Sequence, residues 1–460
     1  MAEATPEQLA LINALEAKRG AWKTDIDKFD AYLRGKQPLS FLSDEMREEF
    51  GDKITDLVIN WPQLVVDTYE NRLDVEGFRF PGESEGSEEL WAIWQANDMD
   101  EQSMLGHVDA LGLARACVIV GAPDDPDAAP IITVESALDC AWTRDPRTRK
   151  VTAAMKRWTG GDDGKTDMLN LYETERTSTM SKGKTGWDVV EVDEHGLGVV
   201  PLVPLVNRPR IKYPDGFSEI EAIIGLADAA NKMATDMMVS GEYHAMPRRW
   251  AFGLKRDDFV DANGALKNAW SVIKGRLWAN ENPDVKVGQF SESDLKNFHD
   301  TIRLLAAMVS HLTALPPYYI AFEGGNPTSA DAIRASEAPL VKRIERKQVA
   351  FGATWEEVMR LCMLIVGGEV PYGAEQLETV WRDPSTPTVA QMADAVTKKV
   401  ATRGADGRPL IPTEQARIDL GYTPAERQLM TEMERDSHAL DPVNAPYLQT
   451  PAVSDVAGVS

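Results

Sequence analysis

Two amphipathic helices separated by a segment that cannot be a continuous helix constrain this chain more than any other sequence feature. From Ser291 onward, apolar residues recur alternately three and four positions apart up to Leu312. Such a heptad seam predicts a helix packed against another helix. The stretch Ala314 to Pro327 then holds Leu-Pro-Pro-Tyr-Tyr-Ile-Ala-Phe-Glu-Gly-Gly-Asn-Pro. Prolines lack a backbone donor and glycines are permissive, so a flexible interruption is predicted there.

A very long helix is predicted after this interruption. Thr328 or Ser329 is the expected N-cap, the pair Gly367-Gly368 is the expected stop, and Pro339 predicts a kink. One stripe is expected to be buried and consists of Ile333, Leu340, Ile344, Gln348, Phe351, Trp355, Val358, Cys362 and Ile365.

The seam has a second predicted helix before it in the chain. Ser218 and Glu221 have the spacing of a capping box, and helical periodicity continues to about Tyr243. Between the two helices, residues 246–289 mix aromatic, glycine and basic residues, which indicates a small α/β subdomain. Its basic residues either contact a partner protein or form a solvated face; they are Arg248, Arg249, Lys255 and Arg256.

The N-terminal part predicts helices followed by a sheet, which places the chain in the α+β class. Helical patterns are expected at 5–34, 60–72, 89–97 and 101–113, with a strand at 73–80. After an apolar run at 116–121, one antiparallel sheet region is predicted from runs at 131–134, 151–158, 168–173, 187–192 and 199–206. After residue 367, a strand at 377–381, helices at 388–403 and 413–433 and a mobile tail are expected.

Composition excludes several classes of protein. The chain of 460 residues has 49 basic and 73 acidic residues and a formal charge of −24, so tight nonspecific nucleic-acid binding is disfavoured. The N-terminus lacks the basic region of a signal peptide. The longest uncharged run, Leu304 to Phe322, is interrupted by polar residues and by Pro316-Pro317, so no membrane span is predicted. Cys117, Cys140 and Cys362 share no metal or disulfide spacing and are expected to be buried thiols.

No motif predicts catalysis, a cofactor or a metal site. The tripeptides at Gly164-Lys165-Thr166 and Gly183-Lys184-Thr185 lack the earlier glycine of a phosphate-binding loop and are expected to be hairpin turns. The six histidines are scattered singly, without metal-ligand spacing, and are expected to be solvated or capped. A nucleotide-binding enzyme therefore remains only a weak alternative.

Several segments in this order resemble the portal proteins of tailed double-stranded DNA bacteriophages, especially of siphophages. The resemblance covers nearly the whole chain and is carried by Asn60-Trp-Pro-Gln-Leu-Val-Val-Asp-Thr-Tyr-Glu-Asn-Arg-Leu, Val203-Pro-Leu-Val-Asn-Arg-Pro, Ser218-Glu-Ile-Glu-Ala-Ile-Ile, Leu315-Pro-Pro-Tyr-Tyr, Asn326-Pro-Thr-Ser-Ala-Asp-Ala-Ile-Arg-Ala-Ser-Glu337 and Arg346-Lys-Gln-Val-Ala-Phe-Gly-Ala-Thr-Trp355.

The resemblance implies a homo-oligomeric ring, usually of twelve subunits, at one capsid vertex of the virion, assembled in the host cytoplasm. Double-stranded DNA would pass through it without sequence specificity. Expected partners are the terminase large subunit, a head-tail adaptor, the major capsid protein and a scaffold, with no membrane and no cofactor. Twelve helices about 10 Å apart leave an opening of about 28 Å, enough for a B-form duplex. Another head-tail adaptor is the alternative.

The resemblance also implies a portal fold with a mixed α/β wing, a two-helix stem, a small α/β clip, a long kinked wing helix and a helical crown. By position these are the wing at 1–216, stem helices at 217–243 and 291–313, the clip at 244–290, a tunnel loop at 314–327, the wing helix and returning strand at 328–385, the crown at 386–440 and the tail at 441–460.

Site residues follow by position from the same resemblance. The tunnel loop would approach DNA, or its aromatic residues would pack on a neighbouring subunit, through Leu315, Pro316, Pro317, Tyr318, Tyr319, Phe322 and Glu323. Stem oligomerisation would use Ile220, Ile224, Ala227, Leu295, Phe298, Ile302, Leu305 and Val309. On the long helix, intersubunit pairs are expected from Lys342, Arg343, Lys347 and Gln348. Partner proteins would meet the basic residues of the clip.

Overall fold

The computed structural model combines helices and antiparallel sheets, which confirms the α+β class. It forms two compact units, Met1–Pro384 and Ser385–Ser460. The residues that the structure describes are 2–38, 57–83, 86–160, 164–184, 186–245, 249–252, 286–289, 295–320, 329–385, 389–404, 407–422 and 424–440.

Eleven α-helices are present among these residues. They are α1 (Pro6–Leu33), α2 (Trp61–Glu70), α3 (Glu88–Ala96), α4 (Met99–Leu113), α5 (Ile224–Ala245), α6 (Lys296–Thr313), α7 (Pro317–Ile320), α8 (Ala330–Gly367), α9 (Val389–Ala401), α10 (Thr413–Asp419) and α11 (Pro424–Leu440).

Thirteen strands accompany the helices in the described ranges. They are β1 (Ala2–Glu3), β2 (Val75–Arg79), β3 (Arg115–Gly121), β4 (Ile131–Ser136), β5 (Cys140–Arg144), β6 (Val151–Gly160), β7 (Thr166–Tyr172), β8 (Thr177–Lys182), β9 (Trp187–Asp193), β10 (Leu202–Val206), β11 (Arg249–Phe252), β12 (Lys286–Gln289) and β13 (Glu378–Trp381).

The predicted single sheet region is in fact two antiparallel sheets. One has six strands in the order β1-β9-β8-β7-β6-β5, and the other has three in the order β10-β3-β4. β3 is buried along nearly its whole length because it packs against both α4 and α8. A strand that is covered on both faces is apolar throughout, so its sequence does not show the alternation of apolar and polar residues that is typical of a strand. The strand predicted at 377–381 is β13, and it pairs with β2.

Helix α1 begins and ends where the sequence predicts. Thr5 Oγ1 accepts a hydrogen bond from the Gln8 amide at 3.3 Å, and the Gln8 side chain accepts one from the Thr5 amide at 3.0 Å. This reciprocal capping box starts the helix. Its apolar stripe packs against α2, α4 and strands β5 and β6, so the helix is part of the main core.

Helix α8 also follows its prediction. Ser329 caps it by accepting from the Ala332 amide at 3.2 Å, and Gly368 ends it at a φ of 72°, which favours glycine. The predicted stripe is buried from Leu340 to Cys362, whereas Ile333 is exposed. The helix continues through Pro339, and the kink there remains a prediction.

Helices α5 and α6 pack against each other, so the partner of the heptad seam lies in the same chain. The predicted capping box at Ser218 and Glu221 is wrong. The Ser218 hydroxyl instead donates to the Gly112 carbonyl at 2.5 Å and accepts from the Ile220 amide at 3.2 Å. A 3₁₀ turn at Glu221–Ile223 therefore precedes α5. The predicted cap of α6, Ser291, lies outside the described residues.

The unit Ser385–Ser460 contains three helices in its described part. The pattern at 413–433 predicted one helix, but the chain forms α10 and α11 instead. Gly421 adopts a φ of 83° between them, which a continuous helix does not allow. Arg427 of α11 pairs with Glu414 of α10 at 3.0 Å and so joins the two helices, and Arg417 pairs with Glu414 within α10 at 3.2 Å.

Candidate functional site

A buried cluster of polar side chains joins five elements at the point where α6 ends. We call it the junction and define it as Tyr69 of α2, Asn207 at the end of β10, Glu219 before α5, and Arg343 and Lys347 of α8. The predicted stem helices, the three-stranded sheet and the long helix therefore meet at one polar site.

The centre of the junction is an ion pair between Lys347 and Glu219. Lys347 Nζ donates to Glu219 Oε1 at 2.5 Å and to Asn207 Oδ1 at 2.7 Å. The Asn207 amide donates to the same Glu219 oxygen at 3.1 Å and to the Phe217 carbonyl at 2.7 Å. The Lys347 and Glu219 side chains are only 6% and 1% exposed. Removal of either partner would leave a buried charge without compensation.

The electrostatics of the junction favour the charged pair. Burial alone would raise the pKa of the Glu219 carboxyl, but Lys347, Arg208 and the Asn207 amide together hold that pKa below its ordinary value. Burial lowers the pKa of Lys347, and attraction to Glu219 opposes this shift. Glu219 therefore stays ionised in the folded chain.

Tyr69 and Arg343 satisfy the last carbonyls of α6. Arg343 Nη1 donates to Tyr69 Oη at 2.8 Å and to the Leu312 carbonyl at 3.1 Å. The Tyr69 hydroxyl donates to the Thr313 carbonyl. The final carbonyls of a helix have no partner within the helix, so these bonds fix where α6 ends.

A second cluster lies just after α6, and we call it the anchor. Its acceptor is Glu337 of α8, whose Oε1 accepts from Tyr318 Oη at 2.9 Å and Tyr319 Oη at 3.0 Å. Arg72 Nη2 donates to Tyr319 Oη at 3.0 Å and lies 3.5 Å from Glu337 Oε1. Burial, together with the bond to Glu337, raises the pKa of Tyr318 to about 12, so its phenol stays a donor.

The described part of the predicted tunnel loop is thus fastened to its own chain. Leu315 and Pro316 are buried, Pro317 is exposed, and Tyr318 and Tyr319 are half-buried in the anchor. Phe322 and Glu323 lie outside the described residues. Contact between this segment and DNA, or a neighbouring subunit, remains a prediction.

The predicted stem residues mostly face the interior of the chain. Ile220, Ile224, Ala227 and Val309 are buried, while the other four are half-buried; these are Leu295, Phe298, Ile302 and Leu305. The sequence reading missed a different set on α6, spaced four residues apart and exposed: Leu304, Met308 and Leu312, of which only the last belonged to the predicted seam. Their helical spacing was the available signal.

Lys342, Arg343 and Lys347 of α8 have partners within the chain, and the expected intersubunit pairs remain a prediction. Arg343 and Lys347 belong to the junction, and Lys342 pairs with Glu345 at 2.5 Å on the same helix. The Gln348 amide donates to the Arg382 carbonyl at 2.9 Å. The apolar stripe of α8 indicated that the face with Lys347 and Gln348 is buried. The sequence alone could not show that the partners of these two residues lie in the same chain.

Of the four predicted clip residues, Arg249 lies in a strand. Arg249 is the first residue of β11, which pairs with β12 from Arg249↔Gln289 to Phe252↔Lys286. Arg248, Lys255 and Arg256 lie outside the described residues. Their predicted contact with partner proteins stays a prediction.

The weak enzyme motifs lie in hairpins. Gly164 is in the turn between the paired strands β6 and β7, and Gly183 is in the turn between β8 and β9, where its amide donates to the Gly186 carbonyl at 2.9 Å. Neither turn leads into a helix, as a phosphate-binding loop requires. Within the described ranges, no group of three potential ligands could hold a metal ion. No helix in those ranges is long and apolar enough to cross a membrane.

One histidine differs from its prediction. His107 is fully buried, and its Nε2 accepts a hydrogen bond from Trp355 Nε1 at 3.1 Å. It stacks on Phe351 with the ring centres 5.3 Å apart. Burial lowers the pKa of His107 to about 3. The ring is therefore a neutral part of the core. The three cysteines are buried free thiols, as predicted.

Comparison with known proteins identifies the family. Residues 13–406 match the family model described as "Phage portal protein, SPP1 Gp6-like". The portal protein of Mycobacterium phage D29 is 37% identical over 83% of this chain and 80% of its own length, and that of Mycobacterium phage L5 is 36% identical over 83% and 79%. A solved chain described as "Virion of native gene transfer agent (GTA) particle" aligns at 15% identity with a TM-score of 0.44, over 79% of this chain and 89% of that one.

The family match covers most of the chain, and two curated portal proteins support it at more than a third identity. Members of this family are structural components of the virion and not enzymes. The chain therefore belongs to the SPP1 Gp6-like family of phage portal proteins.

Proposed function

We propose that copies of this chain form a ring at one vertex of a phage capsid and that the genome enters and leaves through its axis. The observation that carries the proposal is the order of elements within residues 13–406, the part that matches the family. Helix α5, the paired strands β11 and β12, and helices α6, α7 and α8 follow one another there. We assign α5 and α6 to the stem and the two paired strands to the clip.

The charge of the chain agrees with a conduit. A net charge of −24 per copy makes a ring strongly anionic. Because affinity for DNA depends on cations that displace counterions from phosphate, such a ring holds DNA weakly and lets it slide. The terminase large subunit, a head-tail adaptor, the major capsid protein and a scaffold are the partners we propose.

We assign the junction a mechanical role in this ring. Arg343 ties the end of α6 to α8, and the buried bonds of Lys347 to Glu219 and Asn207 tie α8 to the end of β10 in the sheet β10-β3-β4. A displacement of the stem would have to move the wing, because separating the junction would strand buried charges. The anchor has a related role, since it fixes the first residues of the tunnel loop to α8.

The proposal is tested by the mass of the purified full-length protein. Twelve copies of the 50.8 kDa chain have a mass of about 610 kDa. Mass photometry over a range of protein concentrations and salt should give one dominant species near that mass, or near another ring of similar size. A species that stays at the monomer mass under all conditions, including with the phage's scaffold protein, would contradict the proposal. No observation favours a nucleotide-binding enzyme as a second candidate.

A further inference from the structure

Two turns concentrate cations on a chain whose net charge is −24. The first, residues 144–150, runs from the end of β5 to β6, and the second, residues 210–215, follows β10. Together they hold two acids and six cations, which are Arg144, Arg147, Arg149, Lys150, Arg210 and Lys212. Arg144 is half-buried and the other five cations are exposed. A local excess of cations attracts anionic groups.

Helix α1 holds the two turns next to each other. The Trp22 ring contacts the Trp142 ring of β5, with the ring centres 4.9 Å apart, and Arg144 follows two residues later. One helical turn before Trp22, Lys18 Nζ donates to Asp215 Oδ1 of the second turn at 3.3 Å. Both turns therefore flank the same stretch of α1, and their cations belong to one part of the molecular surface.

Two further cations lie between the turns. The Lys18 ammonium and the Arg115 guanidinium lie over the Trp22 ring, 5.0 and 4.5 Å from its centre. Burial lowers the pKa of both Arg115 and Arg144, and attraction to Asp215 opposes the shift in each case. One carboxylate thus serves Lys18, Arg115 and Arg144. We call Lys18, Arg115 and the two turns the basic surface.

The first turn is held in shape by its acid. Asp145 Oδ1 accepts from the Arg147 amide at 3.0 Å, from the Thr148 amide at 2.6 Å and from the Thr148 hydroxyl at 2.9 Å. The Arg149 amide donates to the Asp145 carbonyl at 2.8 Å. The Asp145 carboxylate therefore orders the backbone of the turn and does not neutralise its cations.

The second turn is ordered in a similar way. The Arg210 and Tyr213 backbones exchange two hydrogen bonds, at 3.0 and 2.9 Å. The Arg210 guanidinium lies 6.0 Å from the Tyr213 ring and 5.8 Å from the Phe217 ring. A preorganised turn loses little conformational entropy when it binds.

The composition of the basic surface is typical of contact with nucleic acid and not with protein. Its only large apolar side chains that are exposed within the described residues are Ile211 and Tyr213. The centre of a protein–protein interface is depleted of charge, whereas protein–DNA interfaces are polar and strongly positive. Five of the eight cations are arginines, whose planar guanidinium can donate two parallel hydrogen bonds to a phosphate.

We propose that the basic surface binds the phosphate backbone of double-stranded DNA, without sequence specificity. This inference rests on the proposed function, which brings DNA to the ring, and adds to it the residues that contact phosphate. The acidic remainder of the chain opposes DNA and keeps the contact weak and dependent on salt, so DNA is still able to slide.

Duplex binding by the full-length protein tests the inference. Fluorescence anisotropy of a short labelled duplex gives the affinity at several salt concentrations. One variant reverses the first turn, Arg147→Glu/Arg149→Glu, and another reverses the second, Arg210→Glu/Lys212→Glu. The control Arg79→Glu/Lys398→Glu changes two exposed cations outside the basic surface and gives the same net charge as either reversal.

Each reversal should weaken duplex binding at least about tenfold at about 50 mM salt. The slope of log affinity against log salt should become shallower by about 2, because each lost phosphate contact removes about 0.9 from it. The control should leave the slope unchanged. The variant Arg147→Lys/Arg149→Lys keeps both charges and should also retain the slope.

Cross-linking locates the contact independently of affinity. Ile211→Cys places a thiol between Arg210 and Lys212 without changing the charge, and Tyr372→Cys places one at a fully exposed position outside the basic surface. The three native cysteines are buried, so an azidophenacyl reagent should label only the new thiol in each folded variant. Illumination with duplex DNA should give a covalent adduct for the Ile211 variant and little for the Tyr372 variant.

Several results would overturn the inference. One is a duplex affinity and salt slope that neither reversal changes more than the control does. Another is an equal yield of DNA adduct from the two cysteine variants. Reversals that impair ring assembly but leave duplex binding intact would assign the surface to a neighbouring protein. Each of these results leaves the proposed ring standing, whereas an unaltered protein that never assembles would contradict the proposed function itself.

Discussion

The residues that contribute most to the stability of this chain are polar side chains buried where distant segments make contact. Lys347 and Glu219 are 128 positions apart in sequence and share a bond of 2.5 Å. The apolar stripe of α8 predicted which face of the helix is buried. It did not predict which polar residue on that face pairs with a carboxylate. A pattern of 3.6 residues gives the face of one helix and carries no information on the partner element.

Loss of Lys347 should destabilise the unit Met1–Pro384 strongly. Lys347→Met leaves the Glu219 carboxylate buried without its main partner, which costs about 3–5 kcal/mol. All twelve tryptophans precede residue 384, so urea unfolding followed by tryptophan fluorescence reports this unit alone. The double variant Lys347→Met/Glu219→Gln should recover part of the loss. A single variant as stable as the unaltered protein would contradict the paired-charge account.

The anchor should govern the local stability of α7. Glu337→Gln replaces the charged acceptor of two tyrosine hydroxyls and removes the carboxylate 3.5 Å from Arg72. Hydrogen exchange of the amides in Tyr318–Ile320 should become about tenfold faster, since a bond to a charged group contributes about 1.5–3 kcal/mol. Tyr319→Phe should act in the same direction.

Tyr372→Phe is the matched control for the anchor because Tyr372 is fully exposed. It should leave exchange in α7 unchanged. Equal exchange rates in the control, Tyr319→Phe and the unaltered protein would show that the anchor does not hold the segment.

His107 should make folding stability depend on pH between 6.5 and about 3. The folded state keeps the ring neutral, with a pKa of about 3, while the unfolded chain takes up a proton below 6.5. This contribution is therefore complete above pH 6.5 and is lost as the pH falls, by about 1.4 kcal/mol per unit.

The variant His107→Gln cannot take up that proton and retains an acceptor for Trp355. The difference in unfolding free energy between the unaltered protein and this variant should fall by about 2 kcal/mol between pH 6.5 and 5. The measurement is urea unfolding at each pH, and a constant difference would contradict a buried neutral histidine.

At the scale of elements, the sequence was informative where local chemistry sets a boundary. The ends of α1 and α8 followed from Thr5, Ser329 and Gly368, whose caps need only neighbouring residues. The sequence pattern did not predict strands β5 and β8. β8 reads Thr-Ser-Thr-Met-Ser-Lys and has one apolar residue, so its place in the sheet comes from β7 and β9. Whether such a segment forms a strand depends on its pairing with neighbouring strands and not on its local sequence pattern.

The exposed apolar face of α6 should matter for assembly and not for folding. Met308 is 43% exposed in the single chain, so Met308→Glu should change the urea midpoint little. In the proposed ring the same glutamate would be buried against a neighbouring stem, and the fraction of assembled protein should fall. Met104→Glu on α4 is the matched control, with the same 43% exposure.

Mass photometry of both methionine variants gives the comparison. Assembly reduced equally by both variants would mean that added charge alone is responsible. Assembly unaffected by Met308→Glu would place this face of α6 away from any subunit contact.

At the scale of the whole molecule, the family and the element order agree with one another. The match over residues 13–406 spans both helices of the proposed stem, the long helix and the start of the second unit. The resemblance in the sequence led to the same family, because its segments occur in a fixed order across nearly the whole chain. The exposure of Ile211 and Tyr213 after β10 depended on the structure, since exposure cannot be read from sequence letters.

The central claim is that this chain forms a ring with an axial channel wide enough for DNA. Single-particle imaging of the purified full-length protein tests it most directly. We predict a closed ring whose central opening is about 28 Å wide at the stem, the width expected for twelve helices about 10 Å apart. Particles without an axial opening, or with a channel that is everywhere too narrow for a B-form duplex, would contradict the account.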